Sequence, residues 1–452
     1  MKKQLLCLTI SMIFVAHFAV AQTYVPPGDG TLSQAIADAQ DGDLLELVPE
    51  GLYTESVDNT FGTLVNKDLI IYVEGDDPLP ARLQLLSPAG EGNTPIFFLV
   101  GDSSSLILSD LEFDGSLDGV SNAEYLIQFY MGEFPVPTFI ERIFLENCYV
   151  HHLTSDVIAA GNGDMRGNVV IDFTIIDNCV FENTGTSVYY KYGGANFISV
   201  TNSTFNTILS YGFRIAGPGE SNLPDNTPTV VIDHTTWYNI GTEDGREIIL
   251  CEKGPHQGHW TVSNSILVQQ INKDKVVINI KETVTDDLAE IYNVCLWDVG
   301  TINWRNHPVH DTLTMDPQFL DPVNGDFTLP AGSILLTFAT DGGPIGDPRW
   351  ATNASAVENI SNAIPTDFSL KQNYPNPFNP TTTISFSLTR SERAQLTVYD
   401  LLGHEIAVLA DRKFDSGDHT ITFDARDLPS GIYLYQLKTQ GQVLTKKMTI
   451  LQ

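Results

Sequence analysis

The sequence predicts an all-β protein, a right-handed parallel β-helix followed by a small antiparallel β-sandwich. Two observations carry this prediction. In the body of the chain, one pattern of apolar residues flanking a small polar pair recurs every 24 to 37 residues. The last part of the chain instead alternates apolar and polar residues in short runs between Gly, Pro and Asp turns. The recurring polar position is occupied by Asp110, Asn147, Asn178, Asn202, His234, Asn264 and Asn293.

Asparagine recurs at this position for a structural reason. The tight corner between two strands of a coil requires a left-handed backbone, which Asn tolerates, and the Asn amide can bond to the residue above it. Cys148 and Cys179 occupy the next position in adjacent coils. We expect them to stack as small buried side chains rather than to form a disulfide or a metal site.

The ends of the stack need covering, because a coil without a neighbour exposes unpaired strand edges. Leu32, Ile36 and Ala39 predict a short amphipathic helix at the N-terminal end, followed by a first strand that ends at Tyr53. Residues 316–350 are expected to close the other end. The β-helix domain thus spans residues 22–350, a Ser/Asn/Ala-rich linker spans 351–367, and the β-sandwich spans 368–452.

The N-terminus has the features of a Sec signal peptide over residues 1–21. Two lysines precede an apolar run, and Ala19-Val20-Ala21 fits the small-residue cleavage signature, so the mature chain is expected to begin at Gln22. No later stretch reaches about 18 uninterrupted apolar residues, which predicts no transmembrane span in the mature chain.

The charge of the body excludes two classes of partner. Residues 22–367 contain 13 basic and 48 acidic residues, out of 24 and 56 in the whole chain. A body this acidic repels nucleic acid and anionic membranes.

The C-terminal segment carries a specific motif, Asn373-Tyr374-Pro375-Asn376-Pro377-Phe378-Asn379-Pro380, followed by VYDLLGHEI, SGIYLYQLKTQ and a terminal TKKMTILQ. This segment resembles the C-terminal sorting domain of cargo of the bacterial type IX secretion system. The resemblance implies a Bacteroidetes-type bacterium, the type IX machinery as a partner, and a protein that is secreted or held on the outer-membrane surface.

Basic residues of the body concentrate in four successive coils. A strip of cations on an acidic protein is suited to the uronate or sulfate groups of a polysaccharide, and exposed tyrosines offer stacking platforms for sugars. The expected substrate-binding residues are Lys191, Arg214, Arg246, Tyr190 and Tyr192, with the two tyrosines exposed on either side of Lys191. The alternative is ordinary solvated cations paired with the many carboxylates.

The segment Arg246-Glu247-Ile248-Ile249-Leu250-Cys251-Glu252-Lys253, followed one coil later by Val277 to Lys281, resembles the site strands of pectate-lyase-like enzymes, the alginate and chondroitin lyases of the chondroitinase-B type. The resemblance implies Glu247 and Glu252 as calcium ligands, Lys253 as the catalytic base and Lys281 as the assisting cation. The sequence departs from the pattern in two places. Glu252 stands where the family has its Lys, and Lys281 replaces an Arg. Since strand side chains alternate, this one-residue slip moves Lys253 to the face opposite to that of the family's Lys unless a bulge intervenes.

The sequence therefore predicts a polysaccharide-active surface protein, with β-elimination of an anionic glycan as the reaction if the protein is an enzyme. The alternative is a non-catalytic glycan-binding or surface-structural β-helix. Two weaker candidates are a transition-metal site at His256, His259 and Cys251, and a glycosidase carboxylate pair such as Asp286 and Asp287.

Overall fold

The computed structural model describes residues 21–452 apart from 57–59, 66, 76–77, 87–94, 101–103, 118–119, 122, 130–137, 160–168, 191–193, 217–228, 243–245, 253–259, 271, 273–275, 281–288, 304–308, 352–368, 372, 374–377, 379, 389–391, 400–404, 415–416, 427, 429–430, 440–442 and 451–452. The predicted signal peptide lies outside the described residues. The chain forms two compact units, one ending at Thr352 and the other beginning at Asn353.

The first unit is a stack of coils whose strands pair in parallel from coil to coil, which confirms the predicted parallel β-helix. Each coil contributes up to three strands, and equivalent strands of successive coils form a ladder. Ladder 1 comprises Gly62–Val65, Pro95–Val100, Tyr125–Phe129, Ile158–Ala159, Val188–Tyr190, Phe213–Ala216, Ile249–Glu252, Ile278–Ile280 and Ile302–Asn303.

The other two ladders meet at the asparagine corner. Ladder 2 comprises Gln22–Val25, Asp43–Leu47, Asp68–Val73, Ser104–Ser109, Thr138–Glu146, Val169–Asp177, Gly194–Thr201, Thr229–Asp233, Trp260–Ser263, Ala289–Trp297 and Val309–Leu313. Ladder 3 comprises Gly28–Asp29, Leu52–Glu55, Ala81–Leu85, Leu111–Asp114, Tyr149–His151, Val180–Thr184, Thr204–Ile208, Thr236–Ile240 and Ile266–Gln270, and it ends on the second half of Ala289–Trp297. A small hairpin pairs Ser116–Leu117 with Val120–Ser121.

Aromatic rings stack inside the coils along ladder 3. The ring centroids of Phe181 and Phe205 are 4.9 Å apart, and those of Phe205 and Trp237 are 3.8 Å apart. Trp237 also contacts Phe213 of ladder 1 edge to face at 5.4 Å. These rings are fully buried, so Trp237 belongs to the core.

The corner between ladders 2 and 3 confirms the predicted role of the polar column. All seven residues of the column have a left-handed backbone, with φ between 45° and 61°. The amide of Asn178 donates to Oδ1 of Asn147 at 2.7 Å, and Asn147 donates to Oδ1 of Asp110 at 3.0 Å. Cys148 and Cys179 are buried and unbridged, and the backbone amide of Cys148 contacts Sγ of Cys179 at 3.4 Å.

The N-terminal end carries the predicted helix, Thr31–Asp38, with Leu32 and Ile36 buried. The single strand predicted to end at Tyr53 is wrong. Two strands, Asp43–Leu47 and Leu52–Glu55, flank a turn in which Glu50 has a φ of 56°. Pro49 and Gly51 beside that left-handed residue explain the break.

The C-terminal end of the coil stack is covered by a segment with three short 3₁₀ helices, Pro322–Asn324, Ile334–Leu336 and Pro348–Trp350. This segment has its own small core against Ile266, Val268 and Cys295. Its last residues return along earlier coils: Trp350 Nε1 donates to Thr204 Oγ1, and Arg349 donates to Asn178 Oδ1, both at 2.7 Å.

The second unit is a pair of antiparallel sheets. One sheet orders Ser369–Leu370, Thr381–Leu388 and Gly417–Asp424, and the other orders Glu405–Phe414, Glu392–Tyr399, Gly431–Lys438 and Val443–Ile450. Both contribute to one core that includes Phe386, Leu396 and Tyr435. The small antiparallel fold predicted for this segment is confirmed. Among the residues that the structure describes, no helix is both long and apolar enough to cross a membrane.

Candidate functional site

The outer face of ladder 1 carries a cluster of two guanidinium groups and two phenol rings. Tyr189 and Arg214 are register partners on neighbouring coils, and Arg214 Nη1 donates to Tyr189 Oη at 3.4 Å. The Arg214 guanidinium carbon lies 5.4 Å from the Tyr189 ring centroid and 4.9 Å from that of Tyr211. Arg246 lies over the same Tyr211 ring at 5.4 Å. We call these four residues the arginine–tyrosine surface; cation–π attraction contributes to holding its two cations in one patch.

Strand alternation places the two register partners on the surface. The residues that flank Tyr189 and Arg214 in their strands point into the core and are buried: Val188, Tyr190, Phe213 and Ile215. Tyr189 and Arg214 therefore face outward. Tyr211 lies just before Phe213–Ala216, the strand that contains Arg214. Arg246 lies just before the next ladder 1 strand, Ile249–Glu252, so both residues are near Arg214.

A buried carboxylate follows Arg246 directly. Glu247 is only 7% exposed, and its Oε1 accepts a hydrogen bond from Asn279 Nδ2 of the next coil at 3.1 Å. Asn279 is itself an outward-facing ladder 1 residue, in register with Leu250. Glu247 thus holds a fixed carboxylate oxygen directly after Arg246 in the chain.

Calcium takes six to eight oxygen ligands, and carboxylates are among those it prefers. Glu247 fits that chemistry as one ligand. Glu252 ends its ladder 1 strand, in register with Ala216, and its side chain lies outside the described part of the structure. The predicted calcium site therefore stays a prediction.

A second carboxylate, Asp156, lies three coils before Arg246 and two coils before Arg214. Burial raises the pKa of Asp156 to about 6, although the backbone amide of Thr186 and the positive charge of Arg214 both lower it. Asp156 Oδ1 accepts from that amide at 2.9 Å. Its charge consequently changes near neutral pH, close to the arginine–tyrosine surface.

The structure brings together only some of the predicted substrate-binding residues. Arg214 and Arg246 share the arginine–tyrosine surface. The expectation that Tyr190 is exposed is wrong: its ring is fully buried and its hydroxyl lies 2.8 Å from Thr174 Oγ1. Four further predicted residues, Lys191, Tyr192, Lys253 and Lys281, lie outside the described residues, as does the loop with His256 and His259.

Two members of the surface, Tyr189 and Tyr211, were not among the predicted site residues. Strand alternation could have identified Tyr189, because the buried residues on either side of it, Val188 and Tyr190, point inward and leave Tyr189 on the outer face. Nothing local identifies Tyr211, because it precedes its strand and is placed by the turn.

A cleft of about 260 Å³ opens at the C-terminal end of the coil stack. Its lining includes Tyr238, Trp297 and Phe319 together with Asp298 and Asp316. Trp297 is 39% exposed. Aromatic rings beside carboxylates are typical of sugar-binding surfaces.

Comparison with protein families decides the role of the second unit. Residues 372–451 match the family described as "Secretion system C-terminal sorting domain". The C-terminal segment is a sorting domain. The prediction of a type IX sorting domain is thereby confirmed, and the antiparallel strands from Thr381 onward belong to it.

A second family match falls on the body. Residues 230–350 match "Domain of unknown function (DUF5123)". The matched range contains Arg246, Glu247, the ladder 1 residue Asn279 and every residue that lines the cleft. The arginine–tyrosine surface extends beyond it, since Tyr189, Tyr211 and Arg214 come before residue 230.

No curated protein matches the chain. Among solved structures, the chain is similar to a PL6 family alginate lyase, AlyGC, with 15% identity over 66% of this chain and 40% of that chain, at a TM-score of 0.44. A variant of the same enzyme gives 16% identity, 67% and 39% coverage and a TM-score of 0.43. The chain thus spans about two fifths of the length of these structures.

Proposed function

We propose that the β-helix binds an acidic polysaccharide along the outer face of ladder 1 and cleaves it by β-elimination. The observation that supports this most is the pairing of Arg214 with Arg246 over Tyr211. The body has 48 acidic residues and only 13 basic ones, so two adjacent guanidinium groups form a local site for anions on an otherwise repelling surface.

The ladder suits an extended polymer. Successive coils are separated by about 4.8 Å, so outward residues of neighbouring coils form a regular row. Guanidinium groups pair with carboxylates through two parallel hydrogen bonds, which orient a uronate as well as attract it. Tyr189 supplies an aromatic ring in the same row.

The proposed reaction removes the proton from C5 of a uronate. The electron pair of the C5–H bond forms the C4–C5 double bond, the C4–O4 bond breaks, and the leaving oxygen takes a proton. The arginines neutralise the uronate carboxylate, which lowers the barrier to losing the neighbouring proton. Lys253 is the proposed base and Lys281 the assisting cation, because a Lys among other cations has a lowered pKa.

Calcium belongs to the same proposal. Glu247 and Glu252 are its proposed ligands, and a bound ion supplies further neutralisation of the uronate carboxylate. The proposal predicts that EDTA slows cleavage and that added calcium restores it.

The decisive experiment incubates the mature chain with alginate, pectate and glycosaminoglycans and follows the ultraviolet absorbance of the unsaturated product. We expect product with one of these polymers and a loss of binding in Arg246→Gln. Arg142→Gln is the matched control, since Arg142 is a partly exposed cation on ladder 2 that pairs with Glu141. The absence of both product and binding with every acidic polymer would overturn the proposal.

Binding without product would favour the alternative, a glycan-binding protein that does not cleave. The cleft with Trp297, Tyr238 and Phe319 supports that function, because its rings offer a stacking platform away from the arginines. Trp297→Ala would then weaken binding of neutral as well as acidic polymers, whereas Arg246→Gln would weaken only the latter.

We further propose that the sorting domain directs the protein through the type IX system to the outer-membrane surface or the medium, after export by the predicted signal peptide. The sorting domain has its own core, separate from that of the β-helix. Deleting residues 368–452 should therefore leave the body folded and trapped in the periplasm, as measured by cell fractionation. Recovery of the truncated chain at the surface would contradict this.

A further inference from the structure

A cluster of two histidines and an aspartate lies on the outer face of ladder 3, away from the arginine–tyrosine surface. Asp114 and His151 are register partners on adjacent coils, and His152 follows directly. One ligand atom from each of the three residues lies within 4.8 Å of the other two. His151 Nδ1 is 2.6 Å from His152 Nδ1 and 3.6 Å from Asp114 Oδ1.

The tautomer of His151 is set by its other nitrogen. His151 Nε2 lies 3.1 Å from Glu112 Oε1, and Arg82 Nη2 is 2.7 Å from the same oxygen. Glu112 Oε1 accepts the Nε2 proton, which leaves the lone pair of Nδ1 directed toward His152 and Asp114. A carboxylate behind a ligating imidazole is the usual second shell of a metal site.

Asp114 and the ring of His151 are also held in place by their neighbours. Asp114 Oδ1 accepts from the backbone amide of Ser116 at 3.0 Å and from its hydroxyl at 2.6 Å, while Oδ2 accepts from Gln84 at 3.2 Å. Tyr149 stacks on the His151 ring at 4.4 Å.

The backbone at His152 is shaped for this position. His152 has a left-handed backbone with φ of 59°, and its amide donates to Glu182 O at 3.1 Å. Gly115 permits the close approach of the two coils, because a Cβ there would lie 2.5 Å from His152 O.

We propose that His151, His152 and Asp114 form a binding site for a divalent transition-metal ion of the zinc type, with a fourth position for water. Zinc binds nitrogen and oxygen ligands at about 2.0–2.2 Å in a tetrahedron, so its ligand atoms lie roughly 3.3 Å apart. The Asp114–His151 distance is close to this value. The short His151–His152 contact is an N–H···N hydrogen bond between the imidazoles, and the ion takes the place of the shared proton.

The donor set selects the class of metal. Two imidazole nitrogens and one carboxylate suit zinc, cobalt, nickel or copper, whereas calcium and magnesium prefer oxygen alone. Because Asp114 and His151 belong to different coils, a bound ion links the two coils and stabilises the folded chain by mass action. The site does not depend on the proposed polysaccharide function.

The test uses the mature chain without a histidine tag, freed of metal by a chelator and then dialysed. Titration calorimetry with zinc chloride should give one ion per chain, and cobalt(II) should produce the visible absorption of a tetrahedral site. Zinc should also raise the temperature midpoint of unfolding.

His152→Asn is the informative variant, because Asn tolerates the left-handed backbone and occupies the equivalent position as Asn183 and Asn239 in other coils. Loss of a residue that only hydrogen-bonds to a metal ligand costs roughly 10- to 100-fold in metal affinity, and we expect the zinc affinity of Glu112→Gln to fall within that range. The zinc affinity of His152→Asn should fall further, because a ligand itself is lost. In EDTA, His152→Asn should unfold at the same temperature as the wild type. His310→Gln, an exposed histidine on the last ladder 2 strand, is the matched control and should bind zinc normally.

The outcomes are distinguishable. Loss of binding in His152→Asn with retention in the double variant His256→Gln, His259→Gln supports the site. Absence of zinc binding at micromolar concentration, or binding that persists in both His152→Asn and Asp114→Asn, overturns it.

Discussion

Two outer faces of the same coil stack present opposite chemistry. The arginine–tyrosine surface on ladder 1 gathers two cations on phenol rings, whereas ladder 3 gathers two imidazoles around Asp114. Both rest on identical backbone ladders with apolar side chains beneath. The difference teaches that the ladder supplies spacing only, and that the outward residues on neighbouring coils decide whether a face attracts anions or metal cations.

The largest expected effect comes from removing the support that both faces share. Trp237 packs against Phe205 of ladder 3 and Phe213 of ladder 1. Trp237→Ala should lower the free energy of unfolding by about 3–5 kcal/mol, because it leaves a large cavity. Chemical denaturation measures this, and both polymer and zinc binding should weaken together. A variant that affects one face alone would show that the faces are supported independently.

The next effect should separate the faces. Arg214→Gln or Arg246→Gln removes a charged partner of the glycan, so polymer affinity should fall about 10- to 100-fold, which corresponds to the loss of a charge-assisted hydrogen bond. Zinc affinity should not change. Parallel titrations with the polymer and with zinc chloride measure both, and a zinc affinity that falls as much as polymer affinity would contradict the separation.

A smaller effect is expected at the corner that borders ladder 3. Asn178→Ala loses the bond to Asn147 and the bond from Arg349, and it places Ala in a left-handed backbone. We expect a loss of about 1–2 kcal/mol in thermal unfolding. Asn196→Ala, at an exposed ladder 2 residue that bonds to Asp172, is the control and should cost less. Equal losses would show that the corner has no special role.

The smallest effect concerns pH. The pKa of Asp156 in the folded chain is about 6, above its unfolded value of about 4. Between these values the folded chain binds more protons than the unfolded chain, so stability falls as pH rises through this window and stays lower above it. Asp156→Asn should therefore be more stable than wild type at pH 7 and lose this advantage toward pH 4. Equal stability of the two chains at pH 7 would count against the raised pKa.

Much of the fold could be predicted because the repeat is local. The residues that form the asparagine corner and the N-terminal helix both follow from short patterns. The site was less predictable. The sequence favours Tyr190 over Tyr189 because Tyr190 is next to Lys191, but only the phase of the strand separates the buried ring from the outward one.

The sequence also does not predict a second column of residues with a left-handed backbone. It comprises His152, Asn183, Thr207, Asn239, Gln269 and Asp298, each five residues after a member of the polar column. These residues share no chemical type, so composition does not mark them. The corner geometry of ladder 3 imposes the conformation on whichever residue stands there.

The sequence alone determined the parallel coils, the left-handed asparagine corner, the acidic body and the sorting domain. Each of these depends on local patterns or on composition, which can be read without knowing which coils are neighbours. Only the tertiary structure decided which residues of different coils meet. Asp114 and His151 become neighbours, as do Tyr189 and Arg214, through register between coils of unequal length. Loops of variable length hide that register from the sequence, while backbone hydrogen bonding between coils fixes it in the folded chain.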